Sequence, residues 1–165
     1  MLHLYWGDGK GKTTAAMGLA LRALGHGRRV VVLQFLKDGT SGEIALLRSC
    51  GAEVHACPNA KFTWLMTEAE RAEARQHNTA ALCAALDTPF DLLVLDEACA
   101  ACRHQLVDEA LLQQAAAMAK QGREVVLTGR DPAPWMQEAA DYSTELRAVR
   151  HPYTHGIPAR EGIEY

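Results

Sequence analysis

Leu2-His3-Leu4-Tyr5-Trp6-Gly7-Asp8-Gly9-Lys10-Gly11-Lys12-Thr13-Thr14 is the stretch whose reading decides the fold. A short apolar run feeds three glycines at alternate positions, and a helix-prone stretch from Thr13 to Leu24 follows. Glycines at 7, 9 and 11 let backbone N–H groups converge on phosphate oxygens. The helix start adds its dipole. Lys12 supplies a point charge for phosphates, and the Thr13 hydroxyl is placed for Mg²⁺. The strict pattern G-x-x-x-x-G-K-[ST] is missed by one residue, because Trp6 stands where its first glycine belongs. A glycine-rich structural turn is the competing reading; the strand–loop–helix setting and Lys12-Thr13 argue against it.

Outward from the loop, apolar runs alternate with helical stretches. Leu2 to Trp6, Arg29 to Leu36, Phe90 to Leu95 and Glu124 to Thr128 read as buried strands. Weaker strands are expected at Glu53 to Ala56 and Thr144 to Val149. Helices are expected over Thr13 to Leu24, Gly42 to Ser49, Glu68 to Leu86, Val107 to Gln121 and Pro134 to Ala140. Thr67 with Glu70 forms a capping box for the third, and Gly25 ends the first. The alternation predicts an α/β fold, P-loop NTPase-like (RecA-like), with a mostly parallel sheet covered by helices on both faces. Ligands of such sheets bind outside the carboxyl ends of the strands. One of these ends carries Asp91-Leu92-Leu93-Val94-Leu95-Asp96-Glu97, an apolar strand closing on two carboxylates. A hard Mg²⁺ held by phosphates needs one or two such groups.

The 165 residues suit a single domain, 1–165, with a full core. Apolar residues make up 48%, charged residues 22%, and the formal net charge of −3 argues against a nucleic-acid-coating protein. No apolar run approaches the ~18 residues of a membrane span, and the start is too short for a signal-peptide core. The five cysteines are odd in number and irregular in spacing, so reduced thiols in the cytoplasm are expected. Cys99-Ala-Ala-Cys102 has no second ligand pair at zinc-finger spacing, and reads as small residues in an alanine-rich loop or helix. From the residues alone the chain is a Mg-nucleotide protein of the P-loop class. Its reaction stays open between group transfer, phosphoryl transfer and regulatory nucleotide binding.

The wording of the chain goes further. Gly7 to Ala16, then Arg22-Ala23-Leu24-Gly25-His26-Gly27, closely resembles the P-loop cob(I)alamin adenosyltransferases, also called cob(I)yrinic acid a,c-diamide adenosyltransferases. Val32-Leu33-Gln34-Phe35-Leu36-Lys37, Phe62-Thr63-Trp64, Val94-Leu95-Asp96-Glu97 and Leu127-Thr128-Gly129-Arg130 match in order. So do Ser143 to Arg147 and Gly162 to Tyr165. The resemblance implies transfer of the 5′-deoxyadenosyl group of ATP to Co(I) of a corrinoid, with release of triphosphate. In that family the triphosphate is held in the direction opposite to ordinary P-loop kinases. A small-molecule kinase or ATPase is the alternative.

Carried over residue by residue, the resemblance places Gly9, Gly11, Lys12, Thr13 and Thr14 on the triphosphate, and with Gly7, Asp8 and Lys10 they make up the expected nucleotide loop. Arg22 is a further phosphate contact. The residues themselves, the loop threonine and the carboxylates closing an apolar strand, put Thr13, Asp96 and Glu97 on Mg²⁺, with Glu97 the direct ligand and Asp96 behind it. Lys12, Phe62 and Trp64 are the catalytic candidates; the two aromatics are implied to fill the lower corrin face and displace its axial base. The implied partners are ATP, the reduced corrinoid, an electron donor such as a reduced flavin protein, and a second copy in a homodimer. Departures lie at Trp6, at Ala98 to His104, and ahead of the first strand. There the corrinoid pocket is expected to be more open or completed by a second chain.

Overall fold

The structure, a computed structural model, describes residues 1–57 and 65–164. Strand β1 (Leu2–Trp6) leads through the glycine loop into α1 (Lys12–Gly25), then β2 (Val30–Gln34), α2 (Gly42–Ser49) and β3 (Glu53–Ala56). Helix α3 (Glu68–Asp87), β4 (Leu92–Asp96), α4 (Ala98–Arg103) and α5 (Glu109–Ala117) follow. A 3₁₀ turn over Met118–Gln121, β5 (Glu124–Gly129), α6 (Pro134–Ala139) and β6 (Tyr142–Glu145) complete the layers. The sheet is parallel throughout, in the order β3-β2-β4-β5-β1-β6. Strand β5 separates the loop strand from the carboxylate strand, the RecA-like arrangement expected.

Side chains alternate across the strands, so each face has its own core. Val32, Val94 and Val126 are register neighbours and pack under α1 and α2, against Ala16, Met17, Ala20, Ile44 and Leu47. Leu4, Leu33, Leu95 and Leu127 face the other way, toward Leu82, Cys99, Leu112 and Met136 of the remaining helices. Each fully buried leucine contributes roughly 1.5–3 kcal/mol relative to exposure. Strands β2 and β4 are buried along their whole length, which is why they are almost wholly apolar. Their starts are clasped together by Arg29, whose side chain donates to both Asp91 oxygens at 2.9 and 3.2 Å.

Several expected boundaries move. The last strand is Tyr142–Glu145, and residues 146–149 leave the sheet. Its four residues are all exposed on an edge, so no apolar run marks them. Helix α1 ends at Gly25 as expected, but the left-handed glycine that turns the chain is Gly27 (φ 69°). Helix α5 starts at Glu109 because the Asp108 carboxylate accepts from the Leu111 amide at 3.0 Å, and it tightens into a 3₁₀ turn at Met118. The Thr67/Glu70 capping box is present in both directions. The stretch after Glu97 is helix α4, with Cys99 and Cys102 free and buried; burial pushes the Cys99 thiol up to about 12. No group of three His, Cys, Asp or Glu side chains gathers to hold a metal among the described residues.

Candidate active site

A parallel sheet delivers the carboxyl ends of all its strands to one edge, and here that edge is polar beneath an apolar sheet. Gln34 ends β2, Asp96 ends β4 and sits opposite it in register, and Thr128 lies near the end of β5. All three are fully buried. Asp96 accepts from Thr13 Oγ1 (2.9 Å) and Thr128 Oγ1 (2.7 Å) on Oδ1, and from Gln34 Nε2 (3.2 Å) and Lys37 Nζ (2.7 Å) on Oδ2. A buried carboxylate so engaged is compensated, and it fixes the Thr13 hydroxyl at the start of α1.

Above that row opens a cleft of about 1420 Å³. Lys10, Gly11, Lys12, Thr13 and Thr14 line it, with Lys37 and Glu97 beside them. Among the described residues no side chain caps α1, and its first turn holds no acidic residue, so its leading N–H groups can meet an anion. Lys12 Nζ folds back to the Gly9 carbonyl at 2.7 Å; burial holds its pKa below the ordinary lysine value. Glu97 adopts a left-handed backbone (φ 60°), rare for a residue with a side chain, and its amide donates to Thr128 Oγ1 at 3.0 Å. Burial, and then the charge of Asp96, raise the Glu97 carboxyl above its ordinary value.

The predicted nucleotide residues divide in two. Lys10 to Thr14 line the cleft, whereas Gly7, Asp8 and Gly9 face the segment that leaves β6. The Gly9 amide donates to the Leu146 carbonyl and the Leu146 amide to the Trp6 carbonyl, each at 2.7 Å. A Cβ on Gly9 would lie 2.7 Å from the Leu146 carbonyl. The Asp8 carboxylate accepts from the Ala148 amide at 3.0 Å. The first two glycines thus admit a crossing backbone strap, and in this structure the Gly9 amide is spent on it. Trp6 turns sideways, its Nε1 donating to Ser143 Oγ at 3.0 Å, so the ring is anchored on the edge strand.

Arg22 lies in the last turn of α1, about 15 Å along the axis from Lys12. It is not among the residues that line the cleft with the loop. Phe62 and Trp64 lie outside the described residues. Gln34, Lys37 and Thr128 belong to the site although the motif reading gave them no role. The signal was present: a polar side chain closing a buried apolar strand needs a partner. The chain end also contributes, since Gly162, Ile163 and Glu164 wall the cleft and Lys10 Nζ donates to the Ile163 carbonyl at 2.9 Å.

The family described as ATP:corrinoid adenosyltransferase BtuR/CobO/CobP matches residues 1–165. A corrinoid adenosyltransferase of Pseudomonas aeruginosa is 40% identical over 173 residues, covering 100% of this chain and 83% of the relative. Those of Escherichia coli and Salmonella typhimurium are 36% and 37% identical, covering 100% of this chain and 85% of each relative. Among solved structures, domain III of the Thermotoga maritima replication initiation protein DnaA superposes with a TM-score of 0.45 at 12% identity, over 88% of this chain and 54% of that one. On its full-length match and these relatives, this chain belongs to the ATP:corrinoid adenosyltransferases, enzymes of adenosylcobalamin synthesis.

Proposed function

We propose that the cleft over the glycine loop is where the 5′-deoxyadenosyl group passes from ATP to Co(I) of a reduced corrinoid. The cobalt electron pair attacks C5′, the Co–C bond forms, the C5′–O bond breaks, and triphosphate leaves with the bonding pair. The observation that carries this reading is the convergence of Lys12, Thr13 and Glu97 on one cleft at the α1 start. The protein's work there is to hold C5′ in line and to neutralise the leaving group. Lys12 and the α1 amides act on the triphosphate. Thr13 and Glu97 offer the hard oxygen donors that suit Mg²⁺, with Asp96 orienting Thr13 from behind. When bound, the ion neutralises triphosphate charge. A kinase or ATPase is not favoured, given the family match.

Phe62 and Trp64 are proposed to fill the lower face of the corrin and exclude its axial base. What supports this is Leu65, which lines the cleft and follows Trp64 directly in the sequence. Removing the base lowers the orbital that receives the electron; each ~59 mV is a tenfold shift in a one-electron step. The reading extends to a cytoplasmic homodimer supplied by a donor such as a reduced flavin protein. Phe62→Ala and Trp64→Ala are expected to be severely impaired from Co(II) with a biological reductant. They should recover substantially with chemically prereduced Co(I). Equal impairment from both starting states would reassign the two rings to binding or packing.

A further inference from the structure

The corner where Thr13 meets Asp96 already holds a cation. Lys37 Nζ lies 2.7 Å from Asp96 Oδ2 and 3.1 Å from Thr13 Oγ1. Its side chain is one-third exposed, toward the cleft, while that of Asp96 is fully buried. The backbone is shaped for this placement. Leu36, just before it, is held at φ 46°, a left-handed conformation unfavourable for leucine, and the Lys37 carbonyl accepts from the Cys57 amide at 2.9 Å. Gln34 Oε1, on the residue that donates to Asp96, is buried without a hydrogen-bond partner among the described residues. The corner therefore carries acceptors in excess of its donors.

The Thr13 hydroxyl gives its proton to Asp96 and receives the Lys37 ammonium on one lone pair. Mg²⁺ demands near-octahedral oxygen ligands at about 2.0–2.1 Å. An ammonium on the same oxygen would stand only a few ångströms from that ion, with like charge in a partly buried corner. Repulsion at that distance favours one cation at a time on the Thr13 oxygen. Lysine has a flexible four-carbon stem, and the open direction from the corner is the cleft that Lys12 also lines.

We infer that Lys37 is an exchangeable cation of the nucleotide site. Its ammonium holds Thr13 and Asp96 in place when no metal is bound. When the metal–triphosphate unit arrives, Lys37 yields the Thr13 oxygen and moves onto the triphosphate, as a second lysine beside Lys12. The inference rests on the proposed use of Thr13 and Glu97 for Mg²⁺.

The test compares the parent with Lys37→Met, using Mg²⁺ alone and inorganic triphosphate as probes. Mg²⁺ alone should leave the melting temperature of the parent unchanged. The variant should melt lower, and Mg²⁺ alone should restore it by filling the vacated corner. At saturating Mg²⁺, triphosphate binding to the variant should weaken roughly tenfold or more, the worth of one charge-assisted contact. If the variant does not fold, Lys37→Gln, which keeps donors and loses the charge, is read the same way. A variant with no Mg²⁺-dependent melting, or with parental triphosphate affinity at saturating Mg²⁺, overturns the inference and leaves the magnesium reading standing. Parental triphosphate binding that is indifferent to EDTA overturns both.

Discussion

Asp96 and Glu97 are neighbours in different surroundings, and burial with partnership separates them. Both Asp96 oxygens are taken by protein donors, so its charge is compensated inside the fold. Glu97 faces the cleft and its carboxyl is raised above the ordinary carboxylate range, by burial first and by Asp96 second. A raised carboxyl means that folding disfavours the charged form, so its penalty grows as pH rises through the unfolded value of about 4.3 toward the folded one. Glu97→Gln should therefore melt higher than the parent at neutral pH without ligand. A bound cation reverses the preference. Mg²⁺-dependent ATP binding by the parent should weaken as pH falls through the raised Glu97 value, at a higher pH than an ordinary carboxylate would give. The Gln variant should need more Mg²⁺ and lose that pH dependence. Matching Mg²⁺ titrations of the two proteins from pH 5 to 8 would remove Glu97 from the metal site.

The glycine loop is shaped by the strap that leaves β6. The first strand, the loop and the start of α1 are legible because sequence-local rules govern them: an apolar run, glycines, then Lys-Thr. The strap is not, because residues 146–148 and the loop meet only across the finished sheet, more than a hundred residues apart in the chain. The same distance hides Gln34 and Thr128, whose partner is Asp96 on another strand. Edge strand β6 is expected a few residues too late for a different reason, being polar and exposed along its length. Gly9→Ala tests the strap. Its Cβ would meet backbone of Leu146 and Arg147 at 2.7–2.8 Å, and backbone cannot rotate away as a side chain does. Overpacking of this kind typically costs about 1–3 kcal/mol, so thermal unfolding should fall by several degrees and ATP binding should weaken with it. An unchanged melting temperature would show that the strap gives way freely.

At the scale of the whole molecule, the architecture explains where the site lies. A parallel sheet buried on both faces sends every strand end to one edge. Among the described residues, two helices on one face and four on the other leave that edge open as the cleft. Fold and edge were readable from alternation and from the loop; the direction of chemistry at the edge came from motif wording spread over the whole chain. The central claim is that this cleft, through Lys12, moves an adenosyl group and not a phosphoryl group. The direct measurement mixes the protein with chemically reduced corrinoid and MgATP, follows loss of the Co(I) spectrum, and identifies the phosphate product. The expected result is decay of Co(I) with one triphosphate released per cobalt alkylated. Lys12→Ala should slow it by ~10²–10³, the usual effect of removing one preorganised electrostatic group, while the fold stays intact. Release of ADP with Co(I) persisting, or a Lys12→Ala protein working at the parental rate with saturating ATP, would contradict the account.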